Sequence, residues 1–200
     1  TIYNDFSTPE NTQRLEKASK EYGFQLVNLS DLTDHPSPNY LLVLQKTQKE
    51  AIEADAGLLI VESDVTVQKD TLQALFDGAS ERKDCGMAAA ITTDENGTIN
   101  FPYLYAKGRK PQVYDEKKRF SFCCTLLTPT FLKAFDFHLL DPTKNWFDVT
   151  ISHESINKGF HNYLFINLPV LHRPHGSRPW KQLKYTNPLL YYWRKFTQQL

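Results

Sequence analysis

An apolar run that ends abruptly in polar residues is the feature that most constrains this chain. Residues 58–61 read Leu-Leu-Ile-Val without alternation, and Glu62, Ser63 and Asp64 follow directly. A continuous run of this kind predicts a strand that is covered on both faces in the middle of an α/β sheet. In open α/β sheets, ligands bind beyond the carboxyl ends of the strands. We therefore expect a ligand next to this acidic segment.

The acidic pair within that segment has a spacing that suits a divalent cation. Glu62 and Asp64 are two residues apart, so an extended backbone directs both side chains to the same side. Mg²⁺ and Mn²⁺ take oxygen ligands and are usually shared between one or two carboxylates and the phosphates of a nucleotide. The structural alternative is that the pair is the polar end of a strand and a turn, with Asp64 bonding nearby backbone N–H groups.

Size and composition favour one domain of ordinary size. The 200 residues are enough to bury a core without metal or disulfide support, and 23 Lys or Arg balance 23 Asp or Glu, which argues against a long-range field for nucleic acid. The odd set of Cys85, Cys123 and Cys124 indicates neither a disulfide framework nor a tetrahedral zinc site. We find no apolar segment of about 18 residues or more. We therefore expect a soluble cytoplasmic protein, or one with peripheral contact at the inner face of the membrane.

Strand and helix patterns alternate along the first half of the chain. Strands are predicted at 2–3, 24–29, 58–61 and 86–92, with helices at 9–22, 41–55 and 71–80. The first helix has Ser7 or Thr8 as its cap and Gly23 at its end. Alternation of this kind predicts an α/β domain with a mostly parallel sheet flanked by helices. Because a strand lies at the very start of the chain, we expect that an N-terminal piece of the fold is missing.

The second half of the chain continues this organisation around a polar segment. Residues 103–119 are predicted to form a surface loop that can move over the site, and a strand and then a helix from Pro129 follow. Asp148 precedes a helix predicted at 149–158 with Gly159 in the left-handed closing position, and a strand is predicted at 162–168. A domain at 1–180 is then followed by an aromatic, cationic tail at 181–200. We expect this tail to be a helix packed on the domain, with membrane or partner contact as the alternative.

Four segments together resemble a known family of enzymes. NDFSTPENT at 4–12, LLIVESDV at 58–65, WFDVTISHESINKGF at 146–160 and VLHRPHGS at 170–177 stand in this order. The arrangement resembles the inverting family 2 glycosyltransferases, and it covers the chain up to about Ser177. The resemblance implies a GT-A-like, Rossmann-related fold without the family's first strand. It also implies transfer of a sugar from a nucleotide-sugar donor to a glycan or lipid-linked acceptor.

The resemblance implies a role for each matching residue. Asp5 contacts the nucleotide of the donor, Glu62 and Asp64 stand where the family has its D-x-D pair, and Asp148 stands where it has its catalytic base. His172 matches a downstream histidine that can bind the metal, Mn²⁺ or Mg²⁺, together with Asp64. Two departures are visible: the first position of the acidic pair is Glu62, and Phe147 replaces a glutamate before the base.

The chemistry of the transfer suggests further contacts and leaves alternatives open. Arg173, Arg178 and Lys181 are candidate cationic donors to the diphosphate. Asp148 needs a raised pKa to be an efficient base, and its alternative role is a helix cap. The alternative role of His172 is that of an ordinary loop residue. The other functional readings are a nucleotidyltransferase, for which no Gly-rich phosphate loop is found, and a degenerate domain that binds glycan or a partner in polysaccharide assembly.

Overall fold

The computed structural model describes residues 1–144, 146–173 and 187–198. These residues contain two β-sheets and six α-helices. The strands are β1 (Ile2–Asn4), β2 (Leu26–Asn28), β3 (Leu58–Val61), β4 (Val65–Thr66), β5 (Cys85–Thr93), β6 (Val113–Asp115), β7 (Cys124–Leu127) and β8 (His161–His172). The helices are α1 (Pro9–Tyr22), α2 (Tyr40–Glu53), α3 (Thr71–Ser80), α4 (Pro129–Ala134), α5 (Phe147–Asn157) and α6 (Pro188–Gln198). The α/β class predicted from the sequence is confirmed.

Local signals account for α1 and for the small sheet that it joins. The Thr8 hydroxyl accepts a hydrogen bond from the backbone N of Asn11, and Pro9 occupies the first turn, where its missing N–H has no partner to lose. Gly23 ends the helix with a φ of 71°, which is left-handed backbone that favours glycine. The helix leads from β1 to β2, and these two strands pair in parallel.

The larger sheet is mixed, which corrects the expectation of a mostly parallel one. Its strand order is β3-β7-β5-β8-β4, and β6 also pairs with β8. Only β5 and β8 pair in parallel, and the other four pairings are antiparallel. The reason is that the chain reaches β7 from β5 without a crossover helix, so it can enter beside β5 in the opposite direction. The parallel partner β8 follows only after α4 and α5.

The acidic segment follows a strand at the edge of this sheet and not in its interior. Among the described residues β3 pairs only with β7, and Val61 is 41% exposed, so the prediction of a buried interior strand is wrong in position. The run without alternation has another cause. Leu58 and Ile60 pack against the core cluster on one face of the sheet, and Leu59 packs against the cluster on the other. Both faces of β3 therefore pack against a core cluster, although no described strand pairs with its other edge.

The core lies on both sides of β5, all of whose residues are buried. Small side chains let the helices approach this strand closely. A Cβ added to Gly86 would overlap Ser155 of α5 and Phe160, so this position requires glycine for reasons of space. Helix α5 is thereby held tightly against the centre of the sheet.

The polar segment 103–119 is anchored, which corrects the expectation of a mobile surface loop. Tyr103 is buried in the core, and its hydroxyl bonds both the backbone N and the backbone O of Ser121 at 3.1 Å. Strand β6 within this segment pairs with β8. Arg109 forms an ion pair of 2.7 Å with the buried Glu116. This segment therefore contributes an aromatic core residue and a strand, although its composition is polar.

Candidate functional site

A tight turn after β3 positions the acidic pair. The backbone N of Glu62 bonds the O of Cys123 at 3.1 Å and continues the pairing of β3 with β7. The N of Val65 then bonds the O of Glu62 at 3.1 Å and closes the turn. Strand β4 follows at once and pairs with the end of β8, with Val65 opposite His172. The turn therefore places the acidic segment beside the last residue of β8.

Asp64 and His172 form a nearly buried pair at this junction. The Nε2 atom of His172 lies 3.4 Å from Oδ2 of Asp64, and the two side chains are only 4% and 10% exposed. The Nδ1 atom of His172 lies 2.6 Å from the backbone O of Phe101, to which it donates its proton. Asn100 additionally donates to the backbone O of His172 at 2.8 Å. The ring is therefore fixed with Nε2 towards the carboxylate.

Glu62 shares this space with a buried thiol. Cys123 donates from Sγ to Oε2 of Glu62 at 3.2 Å, and the same sulfur lies 3.9 Å from Nε2 of His172. Burial raises the pKa of Glu62, and the negative charges of Asp64 and Asp148 raise it further. Burial and the charge of Glu62 likewise raise the pKa of the Cys123 thiol. The charges that act on Glu62 thus come both from the acidic pair and from Asp148, much later in the chain.

Asp148 enters this region from the first turn of α5. Its Oδ1 accepts from the backbone N of Val149 at 2.8 Å. Burial raises its pKa, and this effect outweighs the opposing hydrogen bond from Val149 and the positive charge of Arg119. The helix begins at Phe147, two residues earlier than the predicted Val149, so Asp148 lies within the first turn and Trp146 occupies the cap position. Gly159 closes the helix end with a φ of 86°, as predicted.

Tyr40 is a member of this region that sequence reasoning missed. It is the first residue of α2, and its ring lies near those of Phe122 and Phe147, with centroids 6.4 and 6.5 Å away. Its hydroxyl is buried and has no hydrogen-bond partner among the described residues. Burial raises its pKa, and the charges of Glu62 and Asp148 add to this effect. The only sequence signal is an aromatic residue before the apolar face of α2, whose pattern predicts a start at Leu41.

Asp5 supports the entrance to α2 and not the acidic pair directly. Its Oδ2 accepts from the Ser37 hydroxyl and from the backbone N of Asn39, both at 2.9 Å, and its Oδ1 accepts from the Asn39 amide at 2.8 Å. Partial burial would raise the pKa of Asp5, but these hydrogen bonds lower it overall. The carboxylate thus anchors the residue immediately before Tyr40. The expected nucleotide contact stays a prediction.

The cationic candidates are only partly described. Arg173 is exposed; its Nε donates to Glu95 at 3.2 Å, and its backbone N donates to the O of Asp64 at 2.9 Å. Its guanidinium therefore points to the turn after β5. Arg178, and with it Lys181, lies outside the described residues.

The donor set offers two direct ligands for a divalent cation. Within residues 1–144, 146–173 and 187–198, no group of three or more His, Cys, Asp or Glu side chains is arranged to hold a metal ion. Asp64 supplies an oxygen and His172 a nitrogen whose opposite ring atom is already anchored. Mg²⁺ and Mn²⁺ sites in nucleotide-dependent enzymes commonly combine one or two protein ligands with substrate phosphates. The pair therefore fits a cation that arrives with a phosphorylated ligand.

The arrangement presents a carboxylate and an imidazole to a cation, a largely desolvated carboxylate to a proton and a buried hydroxyl to a ligand. Comparison of the chain with models of known protein families and with curated proteins finds no match.

Proposed function

We propose that this chain is a metal-assisted, inverting glycosyltransferase of the GT-A type that moves a sugar from a nucleotide donor to a hydroxyl of a glycan or lipid-linked acceptor. The observation that carries the proposal is that the charge of Asp148 acts on Glu62 beside the charge of Asp64, the other member of the acidic pair. The pair lies at the carboxyl end of β3, and the partner carboxylate comes from a helix much later in the chain. Like charges that act on the partly buried Glu62 raise the energy of the empty site, which favours a role in chemistry over one in stability.

Asp148 is the proposed general base. Burial raises its pKa, and a carboxylate with a raised pKa is a better proton acceptor near neutral pH. It takes the proton of the acceptor hydroxyl, whose oxygen bonds the anomeric carbon as the bond from that carbon to the diphosphate oxygen breaks. Attack from the face opposite the leaving group inverts the configuration. The helix dipole opposes the raised pKa, and burial must outweigh it.

Asp64 and His172 are the proposed ligands on the donor side. A Mn²⁺ or Mg²⁺ ion bound there would neutralise the charge that develops on the diphosphate. Glu62 lies beside them and assists in holding the donor. Arg173 reaches the same diphosphate only if its ion pair with Glu95 opens, and Arg178 is a further proposed contact.

The Tyr40 hydroxyl is the proposed neutral contact of the site. A buried hydroxyl without a partner costs free energy unless a ligand supplies one. Asp5 contributes by fixing Asn39 and so the start of α2. On this proposal the nucleotide contact expected of Asp5 is indirect.

The competing function is a domain that binds glycan or a protein partner without catalysis. It is favoured by the fact that Glu62 and Asp64 already have protein partners, in Cys123 and His172. On this reading the acidic segment is a structural junction between β3 and β8.

Calorimetric titration with a panel of nucleoside diphosphates, with and without Mn²⁺, separates the two functions. We expect one nucleotide to bind in a metal-dependent way, and Asp64→Ala to weaken this binding more than Glu62→Ala. Asp70→Ala is the matched control, because this exposed carboxylate makes no capping hydrogen bond and lies before α3. Negligible effects of both site variants would exclude a metal site there, and a lack of binding under all conditions would favour the non-catalytic domain.

A further inference from the structure

The last helix of the described chain leaves an apolar stripe in solvent. Leu189, Tyr192, Trp193 and Phe196 of α6 are 85%, 57%, 67% and 88% exposed. Their spacing of three, one and three residues places them on one side of an α-helix. We call these four residues the aromatic stripe. Soluble domains seldom expose a contiguous set of large apolar side chains, and such sets usually mark a contact surface.

The exposure belongs to one side of the helix only. Leu190 and Tyr191, which lie on the opposite side by helical geometry, are half-buried. The 11 residues of α6 span only about 16 Å, roughly half of the ~30 Å hydrocarbon layer of a bilayer. None of the helices in the described ranges is long and apolar enough to cross a membrane. A membrane contact through α6 would therefore lie along the surface.

The acidic residues of the chain all lie before residue 155. Residues 155–200 contain seven Lys or Arg and no Asp or Glu, whereas residues 1–154 contain 16 Lys or Arg and 23 Asp or Glu. The aromatic stripe thus lies in a region of the sequence that is entirely free of acidic residues. Helices that combine Trp, Phe and Leu with nearby Lys and Arg bind at the interface of membranes that contain anionic lipid.

We propose that α6 binds along the surface of a bilayer containing anionic phospholipid. The aromatic stripe enters the boundary between headgroups and acyl chains, where Trp and Tyr are enriched, and the positive charge of the acid-free region attracts the anionic headgroups. The complementary charge distinguishes this partner from a second copy of the chain, because self-association needs an apolar face but no acid-free region. The proposal does not depend on the function proposed for the acidic site.

Sedimentation with vesicles tests the proposal on the full chain. We expect binding to vesicles of phosphatidylcholine mixed with phosphatidylglycerol, little binding to phosphatidylcholine alone, and release at high salt. The double variant Trp193→Ser, Phe196→Ser should weaken binding by roughly tenfold or more, because two large side chains no longer leave water. Leu139→Ser is the matched control, because Leu139 is 75% exposed elsewhere on the surface. Its binding should equal that of the wild type.

Two further measurements distinguish insertion from other contacts. In a variant with Trp146→Phe and Trp180→Phe, the emission of Trp193 should shift to the blue when anionic vesicles are added. Sedimentation velocity without lipid should give the same species for the wild type and the double variant. Equal vesicle binding by these two proteins, or a wild-type dimer that the double variant abolishes together with no vesicle binding, would overturn the proposal.

Discussion

The two ends of α5 differ in how their polar side chains are paired. Near the end of the helix, Ser155 donates to Oδ1 of Asn162 at 2.7 Å, and the amide of Asn162 donates to the backbone O of Ser152 at 2.8 Å. Each of these groups has a partner. At the start of the helix, Asp148 is partly buried, this burial raises its pKa, and its charge acts on the carboxyl of Glu62.

The difference separates a stabilising network from a site that costs stability. Buried polar groups that are fully hydrogen-bonded hold one arrangement of helix and sheet, as Asn162 does between α5 and β8. Like charges on partly buried carboxylates, as at Glu62 and Asp148, make the empty protein less stable. A buried hydroxyl without a partner among the described residues, as at Tyr40, has the same effect. A cluster of this second kind on a rigid helix is what a reactive or binding site requires.

The largest expected effect comes from Asp148→Asn. It should lower turnover with the true donor by roughly 10²- to 10⁴-fold, because the proton acceptor is lost. The melting temperature should be kept or raised, since Asn can still accept from Val149 and a buried charge is removed. Wild-type turnover should fall as the pH falls through the raised pKa of Asp148, and the variant should lack this limb. Near-normal turnover would make Glu154 and His153 the next candidates for the base.

Asn162→Ala tests the stabilising network near the end of α5. It leaves Ser155 and the O of Ser152 without partners in a buried place, which should lower the free energy of unfolding by about 2 to 4 kcal/mol. Urea unfolding measures this loss. Asn157→Ala is the control, because the Asn157 amide bonds Glu154 on the exposed surface and its removal should cost about 0.5 kcal/mol or less. Similar losses of unfolding free energy for both variants would show that the buried network stabilises no more than a surface hydrogen bond does.

Tyr40→Phe should have a smaller effect of the opposite sign. Removing a buried hydroxyl that has no partner in the described part of the chain should raise the free energy of unfolding by about 1 kcal/mol. The same change should weaken nucleotide or acceptor binding, because the ligand loses its hydrogen bond. Tyr3→Phe is the control, since this hydroxyl lies 3.4 Å from Glu50 at the surface. A loss of stability in Tyr40→Phe would mean that the hydroxyl has a partner in solution.

Glu62→Gln should change how stability depends on pH. Because the folded-state pKa of Glu62 is raised above 4.5, the folded protein holds this proton more tightly than the unfolded chain. Stability therefore falls as the pH rises through the folded pKa, and Glu62→Gln should remove this contribution. Thermal unfolding from about pH 4 upward should show a shallower fall and a more stable variant at neutral pH. Asp148 contributes with the same sign, so some slope should remain; an unchanged slope would contradict the raised pKa of Glu62.

Elements with local signals were predicted well from the sequence. The cap, proline and glycine around α1 and the left-handed Gly159 after α5 depend on residues that are close in the chain. The edge position of β3 and the antiparallel entry of β7 depend on which strands meet after folding. No local pattern contains that information, and the two residues of β4 are too few for any periodicity to be detected.

The candidate site follows the same division. The acidic pair was visible because an apolar run ends at it, whereas its contact with His172 depends on the pairing of β4 with β8. Tyr40 was missed because a hydroxyl at the start of a helix has no sequence signature. The roles assigned to the site residues stay predictions: Asp5, Glu62, Asp64, Asp148, His172, Arg173 and Arg178.

The adjacent thiols of Cys123 and Cys124 provide two reporters of local opening. Cys123 faces the acidic region, and Cys124 belongs to the core cluster beside α3. Burial raises the pKa of both, that of Cys124 to about 11, so little reactive thiolate exists while the protein is closed. Alkylation of either thiol must therefore wait for an opening event. The ratio of the two labelling rates therefore compares how often the acidic region opens with how often the core cluster beside α3 opens.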